Sequence, residues 1–247
     1  MNIVHLSLHN TIKDGGIYSY IKNFQDSQKL IGLNSYWITC RKNNLKLKKS
    51  EILRLIKNLN PDVIHIHGLW TIQTRLIPNL LKITKNIIIA PHGMLHQNAL
   101  KNSQLKKKLA LFFYERRNIE KLSFFHVLDK KEEIHIKNTF PNIKSFLIPT
   151  GITIPPQKEY NLQPSWLKKI QKNEKIILFL GRLEDQKSIL ELLNVWIDLK
   201  KETKNNKYWL FIAGFGTYSK IVEKLSLDLS NRIIYNGLTI GEEKEFI

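Results

Sequence analysis

The chain has 247 residues, 43% of them hydrophobic and five of them tryptophan, enough for one large packed domain or two modest ones, and its composition excludes a disordered chain. Against 21 acidic residues stand 39 basic ones, a net charge of +18 that would suit nucleic acid or an anionic membrane, although many of these lysines simply solvate exposed faces. The clusters at 42–49 and 106–108 have no interleaved stacking aromatics and no zinc-finger or RNP-type motif beside them, so no nucleic-acid partner is expected.

Cys40 is the only cysteine, which rules out an intramolecular disulfide and a cysteine-based zinc site. No signal-peptide pattern and no apolar run of roughly 20 residues occurs, so the expected location is cytoplasmic.

Strands are predicted at Asn2–Leu8, Ser35–Thr39, Asp62–Ile66, Asn86–Ala90, Phe124–Leu128 and Ser145–Ile148, with helical spacing between them, an α/β alternation. After the first strand comes the loop Asp14-Gly15-Gly16, and then Ile17, Tyr20, Ile21, Phe24 and Ile31 share the face of a covering helix. Backbone amides at Gly15 and Gly16 can approach a phosphate or a hydroxyl, and a plain turn would ask for glycine as well. His65 and His67 lie on one face of their strand. With His92 they imitate a metal cluster, but no carboxylate stands at ligand spacing, so no metal is expected and His65 is assigned to the core. His92 follows a strand and precedes Gly93, which projects it from the carboxyl edge of the sheet into a cleft; capping the strand end is its plainer role.

Leu105, Leu109, Phe112 and Phe113 beside Lys106–Lys108, Arg116 and Arg117 form a basic amphipathic helix, suited either to packing on its own domain or to an anionic membrane surface. From Ile154 to Pro164 both periodicities break, as in a connector. A second alternation begins at Lys175, with strands near 176–180, 208–213 and 232–235, helices from about Lys187 and Tyr218, and a last helix starting near Gly241. Ile176–Leu180 opens onto Gly181, and Arg182 and Lys187 follow at the start of a helix, an arrangement that holds phosphate. Gly214 and Gly216 form a GxG turn after the next strand. The dinucleotide fingerprint would want a third glycine where Ser219 stands and an acid near Tyr235-Asn236-Gly237.

Together these pieces, with Asp62-Val63-Ile64-His65-Ile66-His67, Pro91-His92-Gly93-Met94 and Ile148-Pro149-Thr150-Gly151, resemble the nucleotide-sugar-dependent glycosyltransferases of family 4 (group 1) over nearly the whole chain. That resemblance implies a GT-B fold of two Rossmann-like domains: an acceptor domain over 1–155, a linker over 156–170 and a partial nucleotide-sugar-binding domain over 171–247. It implies transfer of a sugar, with retention, from a nucleotide-sugar to a glycan or lipid-linked acceptor in cell-surface polysaccharide or lipopolysaccharide synthesis, with no metal and no cofactor. Arg182 and Lys187 would hold the departing diphosphate, and His92 would orient a hydroxyl or stabilise charge near the sugar. Gly15, Gly16, Gly181, Gly214 and Gly216 would line the donor, and His67 and Trp70 the acceptor side.

Two departures stand out. Ser188 replaces the family's usual glycine after the lysine, where it is expected to serve as an N-terminal helix residue. The acidic Glu-x7-Glu segment of the donor domain has no counterpart, so the chain reads as truncated there. Ile176–Leu180 would then be an exposed apolar edge strand, and the second half would be poorly stable alone or completed by another polypeptide. The alternative to an enzyme is an inactive remnant or a subunit that binds glycan or a partner without transfer.

Overall fold

A computed structural model describes residues 1–8, 11, 16–42, 45–96, 99, 104–122, 124–151, 164–202 and 207–239. The chain divides into two compact units, Met1–Thr153 and Ile154–Ile247.

In the first unit six parallel strands form one sheet: β1 (Asn2–Ser7), β2 (Asn34–Thr39), β5 (Val63–His67), β6 (Ile87–Ala90), β7 (Phe124–Val127) and β8 (Lys144–Leu147), in the order β2-β1-β5-β6-β7-β8. The order doubles back at β1, which lies between β2 and β5, as in doubly wound sheets. β1 and β5 are buried along nearly their whole length because both faces are covered, the reason their sequences run apolar without alternation. A two-stranded hairpin, β3 (Arg41–Lys42) with β4 (Leu45–Lys46), was not foreseen; runs this short leave no periodicity to read.

Around the sheet lie α1 (Gly16–Leu30), α2 (Lys49–Asn58), the single turns α3 (Ile72–Arg75) and α4 (Ile77–Leu80), α5 (Gln104–Ala110), α6 (Arg116–Ile119) and α7 (Lys130–Thr139). A π-helical turn, Leu111–Glu115, joins α5 to α6. α1 buries Tyr20 and Ile21 as expected, but Ile31 lies beyond the helix end and is exposed, and Gln25 and Gln28 complete the inner face instead. Those two amides are satisfied: Gln25 donates to the Ser35 carbonyl at 3.1 Å, and Gln28 Oε1 accepts from the Ser35 hydroxyl at 2.7 Å.

The second unit holds a three-stranded parallel sheet, β11-β10-β9, made of β9 (Lys175–Leu180), β10 (Tyr208–Ala213) and β11 (Ile233–Gly237), with α8 (Ile189–Glu202) and α9 (Ser219–Leu227). β10 is central and buried, whereas Ile176, Ile177, Leu178 and Leu180 of edge strand β9 are all exposed. The stretch read as a linker ends sooner than expected. Ser165–Lys169 forms a 3-10 turn whose Trp166 packs on Phe211, 4.4 Å between ring centroids, because a large aromatic recovers its apolar area only against a core.

Candidate functional site

Two groups of residues come together at the carboxyl ends of strands, one in each unit. Those ends are where open parallel sheets bind ligands, because the loops there splay apart.

In the second unit, β9 runs into Gly181 and β10 into Gly214 and Gly216, and the two loops pack on each other. A Cβ on Gly214 would lie 1.8 Å from the Gly181 carbonyl oxygen, and one on Gly216 would lie 2.5 Å from that of Leu183. The Leu183 amide donates to the Phe215 carbonyl at 3.0 Å and closes the pair. Both glycines are thus required by loop-to-loop contact, whatever else they line. Gly181 differs, since the nearest atoms to its Cβ position belong to the Phe179 ring at 3.9 Å.

Arg182 and Lys187 are exposed, and among the described residues neither pairs with a carboxylate. The carboxylates beside them are engaged elsewhere: Glu184 accepts from the Thr217 hydroxyl at 2.8 Å and Asp185 from the Tyr218 hydroxyl. The helix starts later than expected. Asp185–Lys187 is a 3-10 turn, Ser188 follows at φ +51°, ψ +37°, and α8 begins at Ile189. Ser188 is therefore not an ordinary first-turn residue; it occupies the left-handed conformation that glycine adopts without strain.

In the first unit, His92 is half-buried after β6, at φ +52°, with Gly93 at φ +74°. Glu132, buried at the start of α7, holds this turn: its carboxylate accepts from the Gly93 amide at 2.6 Å and the Leu128 amide at 2.8 Å. Asp129 caps α7 by accepting from the Glu132 amide at 2.8 Å.

Behind His92 stand four more histidines. Register places His5 of β1 beside His65 of β5, His67 follows on the same strand face, and His126 comes from β7. His5 Nδ1 lies 2.9 Å from His67 Nε2, and His67 Nδ1 lies 2.9 Å from His92 Nε2. His5 Nε2 reaches Gln28 Oε1 at 2.8 Å, and His126 Nε2 reaches the Ile148 carbonyl at 2.9 Å. Burial, the largest cause, lowers the pKa of all five imidazoles, that of His92 to about 4, and those of His65 and His67 well below the ordinary value with help from neighbouring rings.

His65 is in the core, as read from sequence. His67 is only 2% exposed and stacks on His92. Trp70 lines a groove of about 590 Å³ shared with Arg75, Lys106, Lys107, Phe113 and Tyr114. Gly16 opens α1 with nothing near its Cβ position, and Gly15 and the helix expected from Gly241 lie outside the described residues. His5, His126, Glu132 and Gln28 were missed. Setting the predicted strands in parallel register would have brought His5 to His65, but Gln28 sits on a helix face that looked purely apolar.

His5, His65 and His67 each offer a nitrogen within 4.8 Å of the others, the spacing of a metal site. The 2.9 Å between His5 Nδ1 and His67 Nε2 is instead a hydrogen-bond distance, shorter than the separation of two nitrogens on one tetrahedral ion at Zn–N of about 2.0–2.1 Å.

Residues 165–237 match the family model described as Glycosyl transferases group 1. The chain has the GT-B fold of two Rossmann-like units, as solved structures of that kind cover nearly all of it. Sucrose-phosphate synthase from Thermosynechococcus elongatus superposes at TM-score 0.65 and 14% identity over 97% of this chain and 71% of that one. HepE of Anabaena, in complex with UDP and glucose, gives 0.62 at 13% over 97% and 70%. WaaG, a glycosyltransferase involved in lipopolysaccharide biosynthesis, gives 0.59 at 10% over 96% and 70%. Among curated proteins, the membrane-associated protein gex-3 of Caenorhabditis elegans is 26% identical over 141 residues, 56% of this chain and 11% of that protein, so the chain spans a small part of that relative. By family segment and by fold the chain resembles an enzyme of the glycosyltransferase class.

Proposed function

We propose that this chain moves a sugar, with retention, from a nucleotide-diphosphate sugar to a glycan or lipid-linked acceptor in cell-surface polysaccharide or lipopolysaccharide synthesis. The observation that carries the reading is the pair of exposed cations Arg182 and Lys187, which have no carboxylate partner among the described residues and sit on the loop after β9 within the segment matched by the group 1 model. A departing diphosphate is the charge that such a pair would neutralise, Arg182 as a fork and Lys187 as a point charge. His92 faces the sugar, and Trp70 with its groove takes the acceptor side. The reading invokes no metal or cofactor. It places the chain in the cytoplasm, in peripheral contact with anionic membrane through the exposed Leu105, Leu109, Phe112 and Phe113 and their neighbouring lysines.

Calorimetric titration of the full chain with UDP, GDP and ADP tests it. One nucleotide should bind, and Arg182→Ala or Lys187→Ala should each weaken it by about 10- to 100-fold, as expected for a lost charge-assisted hydrogen bond. Equal affinity in the wild type and the double variant would defeat the reading.

The open edge of β9 favours a second reading, a subunit that binds glycan or partner without transfer and whose sheet is completed by another polypeptide strand. Nucleotide binding with no turnover of any donor would select it.

A further inference from the structure

We propose that Gln28, through His5 and His67, fixes His92 in the Nε2–H tautomer, so that His92 presents a bare Nδ1 to a substrate hydroxyl as a hydrogen-bond acceptor. The inference rests on the reading of His92 as the group facing the transferred sugar. Gln28, His5 and His67 are positioning residues; His92 is the one that touches substrate.

Donors and acceptors alternate along one line from Gln28 to His92. Gln28 Oε1, turned toward both His5 Nε2 and the Ser35 hydroxyl, accepts, so with this amide orientation the proton of His5 lies on Nε2 and its Nδ1 carries a lone pair. Because that lone pair faces His67 Nε2 at 2.9 Å, the proton of His67 lies on Nε2 and its Nδ1 accepts in turn. His92 Nε2, 2.9 Å away, must then donate. His92 Nδ1 has no partner among the described residues and is not among the buried unpartnered atoms, so it opens to solvent. A second array fixes His126 separately: Nε2 donates to the Ile148 carbonyl, and Nδ1 accepts from the Tyr20 hydroxyl at 3.2 Å and His65 Nε2 at 3.4 Å.

Other groups around His92 agree with a neutral ring. Tyr20 of α1 meets it edge-on at 4.9 Å, His67 of β5 stacks on it, His126 of β7 opposes its protonation, and the Glu132 carboxylate of α7 is taken up by two backbone amides. Burial, with His126, holds His92 at about 4, so no imidazolium forms there at neutral pH. His92 thus orients a hydroxyl and does not supply positive charge.

Long-range 1H–15N spectra of the labelled full chain test this directly, since the two ring tautomers give distinct nitrogen shifts. His5, His67 and His92 should all show the neutral Nε2–H pattern, unchanged from pH 6 to 8. Gln28→Leu should let the Nδ1–H form of His92 appear and lower kcat about tenfold at unchanged donor KM, within what a misplaced acid–base group costs, whereas Gln28→Glu, which keeps an acceptor oxygen, should retain the wild-type His92 signature. A wild-type His92 protonated on Nδ1, or a Gln28→Leu spectrum identical to wild type, would overturn the proposal. So would one equivalent of Zn2+ shifting the His5, His65 and His67 nitrogens together, because a metal would then take the place of the shared proton. If Gln28→Leu does not fold, the wild-type spectrum alone decides. Expected spectra with no donor turnover would refute the transferase reading and leave the tautomer assignment standing.

Discussion

His92 stands in a backbone region that costs a non-glycine residue about 1–2 kcal/mol, and the Glu132 carboxylate supports that turn by bonding the next amide. The same histidine array gives the first unit an acid-sensitive core. Burial lowers the folded pKa of all five imidazoles below the 6.5 at which they protonate when unfolded. The unfolded chain therefore binds these protons first, so stability falls as pH drops through 6.5 toward the lowered folded values. Glu115 acts in the opposite sense. Burial lifts its carboxyl from 4.5 to about 7, so the folded chain holds that proton between those values and loses the contribution as pH rises toward 7. Five rings outweigh one carboxyl, and thermal unfolding should show a lower first-unit Tm at pH 5 than at pH 7. An equal or higher Tm at pH 5 would show that the rings are charged in the folded state.

Among the elements, β9 is the exposed apolar edge strand expected from the sequence: an unbroken apolar run suits a strand covered on both faces, but among the described residues β9 pairs with β10 alone and its apolar side chains are exposed. Such an edge offers unpaired backbone groups for a further strand. Sedimentation of the wild-type chain should show self-association that Leu178→Lys suppresses, with stability changed by no more than about 0.5 kcal/mol, as for other exposed positions. Identical association in both chains would mean that the edge takes no strand. Apart from the short β3 and β4, the remaining strands were legible to within about two residues, because buried runs end abruptly at polar or turn residues. Helix starts were less so: the loop before α8 takes its shape from Ser188 in the left-handed region and from packing against the Gly214–Gly216 turn, neither of which leaves a period in the sequence.

At the scale of the whole molecule, a charge of +18 and one exposed apolar surface act together. Leu105, Leu109, Phe112 and Phe113 are all exposed, contrary to the usual fate of such a stripe, and Leu109 and Phe113 line the groove beside Trp70 together with Lys106 and Lys107. Flotation should recover the chain with vesicles containing anionic lipid, and Phe112→Ser with Phe113→Ser should abolish recovery. Equal recovery with neutral vesicles would remove the electrostatic part of the argument. The sequence by itself determined the α/β alternation, the position of the cation-bearing loop after β9 and the family resemblance, because hydrophobic period, glycine and charge are local properties. Only the tertiary structure decided that His5, His67, His92 and Gln28 form one hydrogen-bonded line and that the Gly214 and Gly216 turn packs on the loop after β9, because each depends on register and burial between segments far apart in the chain.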